Sequence, residues 1–413
     1  MTLSRRDLIA TCSRLLPLAG GAALAAAAPA SARRLMGVAG ADPFAASRFQ
    51  EIAGSAPRAR FWTSTAIDAS ACQACHTNRP TAAAPHVHDP KTVKCLLCAH
   101  GCVIRTGERG RCRARANVDG QLRSLVYGRP AAVHVDPIEK KPFYHFLPGK
   151  EAYSFGTTGC PFRCKFCQNW ELSQSSPEDL ETRLVPAAEL AGEAASREVP
   201  VIAFTYNEPT VFAEYLLDVA REAKARGLRT ALVSCGFMNE APLDEMCGVL
   251  DAIKIDLKGF SEPFYRSVSD ASLRPVLRSI RQIRRRRVHL EIVNLVVPTL
   301  NDAEQALGAL ADWVAGELGP DVPLHFTRFH PDYQLRNLPP TPIGTLEKAR
   351  QLAMGRGLRY VYTGNVADHP GNHTYCPGCR KVVVRRSGFF VTAMHVTAGR
   401  CAFCRRAIAG VWI

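Results

Sequence analysis

Acidic residues are in short supply: 37 Asp and Glu stand against 52 Lys and Arg in 413 residues, a formal net charge of +15. Such an excess invites a nucleic-acid partner, yet the arginines are spread over the N-terminal segment, the Arg284–Arg287 run and the tail. No single basic patch results, and no specific nucleic-acid partner is expected. The Arg284–Arg287 run reads as the solvated end of a helix. A strongly apolar run of membrane-spanning length is also missing. The candidate stretch at the front is broken by Arg14 and Pro17 and is mostly alanine, which argues against a spanning helix. The rest is ordinary for a globular enzyme: 47% hydrophobic and 22% charged residues can bury one large core with small appendages.

Residues 1–32 carry Ser4-Arg5-Arg6-Asp7-Leu8-Ile9, a weakly hydrophobic stretch, and an A-x-A site at Ala30-Ser31-Ala32. This is the pattern of a twin-arginine export signal. It predicts a periplasmic protein that meets the membrane only through its signal, or a cytoplasmic one if the signal is not used.

Cysteine is plentiful. Sixteen residues, mostly in close pairs and triplets, read as metal ligands before they read as disulfides. Cys235 and Cys247 stand alone and are expected as buried small hydrophobes. What the central loop lacks is a fourth ligand. Cys160, Cys164 and Cys167, in GTTGCPFRCKFCQNW, have C-x-x-x-C-x-x-C spacing, and three thiolates hold a [4Fe–4S] cluster by three irons only, whereas ordinary sites use four. The fourth iron is left for a small molecule. A zinc knuckle short of one ligand, or three structural thiols, are the plainer alternatives; the loop's place after a strand and at the head of a β/α series favours the cluster.

Three further cysteine groups flank or follow this loop. In residues 33–93, read as a loose linker, Cys72-Gln73-Ala74-Cys75-His76 matches C-x-x-C-H, the attachment motif of haem c, with a zinc or redox pair as the alternative. In a Cys-rich module over 94–145, Cys95, Cys98, Cys102 and Cys112 can close a zinc site or hold a second, complete Fe–S cluster. His100, between them, reads as a hydrogen-bonding neighbour. In the tail, 371–413, Cys376 with Cys379 and Cys401 with Cys404 form two C-x-x-C knuckles around a hairpin, a zinc-ribbon or rubredoxin-like pattern with zinc the first choice.

Between these, residues 146–370 alternate short apolar strands with amphipathic helices. Expected strands are 152–155, 201–206, 229–234, 252–257, 289–297, 324–329 and 360–362. The fold class is therefore α/β, with too few units for an eightfold barrel, so a partial (β/α)6-type barrel is expected. Residues just past strand ends line such sites: here Asn207-Glu208, Ser234, Asp256 with Lys258, Asn294, His330 and Asn365.

The three-cysteine loop resembles that of radical S-adenosylmethionine enzymes. CLLCAHGC, DPIEKKP, FTYNEPT, KIDLKGF, VVPTLND, RFHPDYQL and YTGNV extend the likeness to the radical component of the AmmeMemoRadiSam system, related to the glycyl-radical-enzyme activating enzymes. The resemblance implies S-adenosylmethionine bound to the open iron, an electron donor, and the system's partner proteins. It implies that Asn207 and Glu208 hold the cofactor's amino group, that His330 lines the same pocket, and that Asp256 and Lys258 act near the substrate; Ser234 is expected at the cofactor from its place past a strand end. The D-T-N-G turn of activating enzymes is absent, replaced by Val233-Ser234-Cys235-Gly236, so a cation site is not carried over. The function expected is reductive cleavage of S-adenosylmethionine to a 5′-deoxyadenosyl radical that takes hydrogen from an unidentified protein or small molecule. The alternative is an exported electron-transfer protein with haem and iron–sulfur centres in series.

Overall fold

The structure is a computed structural model that describes residues 43–68 and 89–413. The expected export segment and the C-x-x-C-H residues Cys72, Cys75 and His76 lie outside the described residues. The chain divides into two units, 1–47 and 48–413; of the first only 43–47, the start of helix α1 (Pro43–Ser55), is described.

In the second unit, β1 (Trp62–Ser64), β2 (Val93–Cys95) and β3 (Val103–Ile104) form an antiparallel sheet, and β4 (Arg115–Val118) pairs with β5 (Gln121–Ser124). The β4–β5 turn is Asp119-Gly120, with φ of 51° and 81°, the left-handed pair that a two-residue hairpin favours. Ile52 and Ala53 of α1, with Ala56 just after it, pack against Ala116 and Leu125. The expected linker over 33–93 is thus corrected for 48–64: apolar residues there cover the hairpin and supply a strand.

The main sheet has eight strands in the order β13-β12-β11-β10-β9-β8-β7-β6. These are β6 (Ala132–Pro137), β7 (Glu151–Gly156), β8 (Val201–Phe204), β9 (Arg229–Ser234), β10 (Ala252–Asp256), β11 (His289–Val296), β12 (Leu324–Arg328) and β13 (Val361–Gly364). All neighbours are parallel except β6 with β7. The helices between the parallel strands are α2 (Ala187–Ser196), α3 (Ala213–Ala225), α4 (Glu240–Val249), α5 (Leu273–Arg285), α6 (Glu304–Leu318) and α7 (Ile343–Gly355). Val201–Phe204 is buried throughout, as a parallel strand covered on both faces must be. In α5, Leu273, Val276, Ile280 and Ile283 are buried on one face while its basic last turn runs into the exposed Arg284–Arg287 stretch, a charge placement that suits a helix C-terminus. No helix among the described residues is long and apolar enough to cross a membrane.

The pairing of β6 with β7 over six residues spans the expected boundary between 145 and 146, so β6 belongs to the main sheet. Arg115 of β4 and Glu214 of α3 form an ion pair 2.5 Å apart at 1% and 6% exposure, so the Cys-rich module is joined to the helical layer. The tail is likewise built in. It contains the antiparallel β14 (Thr374–Tyr375), β15 (Val382–Ser387) and β16 (Phe390–Met394), then the pair β17 (Val396–Thr397) and β18 (Arg400–Cys401). Val383 and Ile408 pack with Tyr144, Tyr360 and Tyr362, and Val411 donates its N–H to His145 O at 2.7 Å.

Candidate active site

Cys160, Cys164 and Cys167 line a cavity of ≈ 440 Å³ together with residues that leave the ends of β8, β9 and β10. Their loop has little regular structure and is held from outside. Arg163 donates from Nη1 to Cys160 O at 2.7 Å, and the N–H groups of Arg163 and Lys165 reach Ser269 O (2.9 Å) and Val268 O (3.0 Å). Gly159 precedes the first cysteine with φ +87°, and a Cβ there would lie 2.3 Å from Cys112 O; only glycine admits that approach. Burial pushes the Cys164 thiol up to about 11 and Cys160 well above the usual thiol range. These thiols keep their protons until a metal displaces them.

Sulfur spacing tests the fit to a cluster. Around one ion, Zn–S bonds near 2.3 Å bring tetrahedral sulfurs to roughly 3.8 Å of each other, whereas a cubane places each thiolate on its own iron and spreads them. Among the described residues, the group whose ligand atoms all lie within 4.8 Å of one another is Cys376, Cys379, Cys401 and Cys404. The loop's three sulfurs are not so gathered, although they share a cavity. The loop therefore fits a cluster, and the tail fits a single ion.

Glu208 is 2% exposed and lines the same cavity. Its Oε1 accepts from Thr210 N (3.1 Å), Thr210 Oγ1 (2.5 Å) and Ser234 Oγ (2.7 Å), and its Oε2 from Cys235 N (2.7 Å). Oε1 is saturated, while Oε2 keeps acceptor capacity for an ammonium. Ser234 thus serves the carboxylate. Asn207 spends its amide on the cysteine loop, donating to Gly159 O at 2.8 Å and Thr158 O at 3.2 Å. Between β8 and Asn207, Tyr206 holds φ 71°, an uncommon conformation for a bulky residue and one that persists at sites whose surroundings enforce it.

Asp256 and Lys258 both face the cavity, joined by Lys254 from the same strand. Asp256 is bonded to Lys254 through Oδ1 and to Lys258 at 3.2 Å through Oδ2. Burial pushes the Asp256 carboxyl up, but the two ammonium groups outweigh it and hold it at about 2. Lys254 was not anticipated. Its signal is the period of two in Lys254-Ile255-Asp256, which puts two charges on one face of β10, with Lys258 following two residues past the strand end. A second cluster at the wall was also missed: Asp136 on β6 accepts from Lys140 (2.6 Å) and Lys141 (2.7 Å) and from Tyr206 Oη at 3.1 Å. His330 is placed elsewhere. It is exposed just beyond β12 and does not line the cavity.

The other cysteine groups fall as follows. Cys95, Cys98, Cys102 and Cys112 line an enclosed space of their own. His100 Nε2 lies 3.0 Å from Pro161 O. Cys235 is buried beside Glu208, and Cys247 is partly exposed.

A family model for the radical SAM superfamily matches residues 155–310, the span holding the cysteine loop, Glu208 and the charged residues Lys254, Asp256 and Lys258. An uncharacterized protein of Methanocaldococcus jannaschii is 40% identical over 318 residues, covering 76% of this chain and 95% of that one. The chain belongs to the radical SAM superfamily, and it is an enzyme of that class; the family implies a [4Fe–4S] cluster and S-adenosylmethionine. More particularly, it is similar to the pyruvate formate-lyase-activating enzyme of Clostridium pasteurianum, 22% identical over 199 residues that make up 44% of this chain and 80% of the relative. A solved domain of a pyruvate-formate lyase-activating enzyme from Bacteroides vulgatus superposes with a TM-score of 0.36 at 17% identity, over 40% of this chain and 98% of that one.

Proposed function

We propose that this chain is a hydrogen-abstracting radical enzyme of the AmmeMemoRadiSam type, built on a partial (β/α)6 barrel, with a protein or small molecule as substrate. Cys160, Cys164 and Cys167 are the cluster ligands, and Glu208 Oε2 is the partner for the amino group of S-adenosylmethionine. When bound, these groups supply a 5′-deoxyadenosyl radical by one-electron cleavage of the sulfonium. The chain's own residues do the placing. Asn207 fixes the cysteine loop to the end of β8, Ser234 and Thr210 aim the Glu208 carboxylate, and the Lys254–Asp256–Lys258 row offers charged groups to the substrate. Zinc in the tail has a structural role, with a one-electron donor and the system's other proteins as partners.

The observation that carries this reading is the meeting of three cysteine sulfurs and a buried, partly unsatisfied carboxylate in one ≈ 440 Å³ cavity. Anaerobic reconstitution with iron and sulfide, reduction with dithionite and chromatography for 5′-deoxyadenosine test it. Formation of that product in wild type and its loss in Cys160→Ala is expected; no product from a protein carrying its full cluster complement would overturn it.

A further inference from the structure

Cys95, Cys98, Cys102 and Cys112 are brought together from β2, the turn after it, the approach to β3 and the loop before β4. We propose that they ligate a second, complete [4Fe–4S] cluster and not a zinc ion, and that this centre sits in electron-transfer contact with the radical site; the second clause rests on the function proposed above.

Spacing carries the first clause. No three of these sulfurs lie mutually within 4.8 Å, whereas all four in the tail do. Instead the four thiols line an enclosed space, walled also by Leu97 and Ile104. A tetrahedral ion draws its sulfurs inward and leaves no room between them; four irons and four sulfides need that room. Arg111 and Arg115 line the same wall, paired with Asp270 and Glu214 respectively.

Contact with the radical loop carries the second. Cys112 O lies against Gly159, the residue before Cys160. Pro161 O accepts from Arg111 Nε at 3.2 Å and faces His100 Nε2 at 3.0 Å. Thr210 and Val211, on the turn that follows Glu208, form part of the N-terminal site's wall. His100, Phe237 and Phe162 continue as a row of rings with centroids 4.8 and 5.2 Å apart, and Phe162 lines the radical cavity. The transfer is one electron for one: an external low-potential one-electron carrier is oxidised as the N-terminal centre is reduced, with no bond or proton moved.

The test is metal and sulfide analysis with electron paramagnetic resonance on the full chain, reconstituted anaerobically with iron, sulfide and zinc and reduced with dithionite. In protein carrying Cys160→Ala, Cys164→Ala and Cys167→Ala together, about four iron and four sulfide should remain, with a half-integer-spin signal after reduction. Wild type should hold about eight iron and show that signal broadened by spin coupling to a near neighbour. Should the triple variant fail to fold, the double variant Cys98→Ala with Cys112→Ala should fall from about eight iron to about four. About two zinc and no iron in the triple variant, or unchanged iron in the double, overturns the second cluster and leaves the radical assignment standing. Iron unchanged by the triple substitution strikes the radical assignment alone, and two uncoupled signals in wild type strike the contact between the centres.

Discussion

Two four-cysteine sites in one chain begin with the same C-x-x-C spacing and end as different containers. In the tail, each knuckle turns through a left-handed arginine, Arg380 at φ 63° and Arg405 at φ 64°. Their N–H groups return to Cys376 O and Cys401 O at 3.0 and 2.9 Å. Two such turns face each other, with Cys376 Sγ 3.5 Å from Cys404 Sγ and Cys379 Sγ 3.8 Å from Cys401 Sγ. At the N-terminal site one C-x-x-C is opposed by two separately delivered cysteines, around a space walled also by Leu97 and Ile104 and with Cys112 O against Gly159. Ligand spacing in sequence sets the local turn. The size of the site is set by whatever elements bring the pairs together.

The sharpest break in this comparison comes from the third thiol group. Cys164→Ala should abolish 5′-deoxyadenosine formation, to below about one hundredth of wild type by chromatography, while tail zinc stays at about one per chain. Removing the tail metal should do the reverse. Cys376→Ser or a strong zinc chelator should release about one zinc and open 371–413 to proteolysis, because a module this small folds with its metal, while cluster absorbance persists at first. Arg386→Ala should cost about 3–5 kcal/mol in denaturant unfolding, as expected for a buried ion pair that loses one partner; a loss under about 1 kcal/mol would show the tail to be loosely attached. Glu208→Gln should weaken S-adenosylmethionine binding about tenfold to a hundredfold by calorimetry, the worth of one charged hydrogen bond, with iron content unchanged. Gly159→Ala should cost about 1–3 kcal/mol from its left-handed φ alone and should reduce any spin coupling between the N-terminal site and the radical loop.

The smallest expected effect is acidic. Because the Asp256 carboxyl is held at about 2 in the folded protein, below its ordinary value near 3.9, its stabilising contribution is complete above about pH 4 and is lost as pH falls toward 2. The stability gap between wild type and Asp256→Asn, followed by urea unfolding, should be flat above that window and shrink within it; a gap that widens on acidification would contradict the assigned direction.

The parallel strands were legible because each is a short apolar run between turn residues, and β7 to β13 begin and end within a few residues of where those runs do. β6 was not. Its residues Ala132–Pro137 are exposed or half-buried except for Asp136 and include His134, so an edge strand of the main sheet resembles a polar connection. The cysteine groups were legible from spacing alone, but their packing was not, since contacts such as Cys112 O with Gly159 join positions 47 residues apart. Past-the-strand reasoning located Glu208 and Asp256 but also named His330, because it says where a chain exits and nothing of the direction in which the next turn aims a side chain.

Arg386 lies on β15 in the tail, and Glu139 lines the radical cavity; both are 0% exposed, 3.4 Å apart. The guanidinium also donates to Tyr144 O at 2.8 Å and stacks 4.0 Å over the Tyr144 ring, and Tyr144 is another cavity wall residue. The tail is thus the keystone of that wall: on the proposed reading of Cys376, Cys379, Cys401 and Cys404 as a structural metal site, a cell short of that metal would be left with a catalyst whose chamber has lost its backing, and metal supply would govern the chemistry from behind the site that performs it.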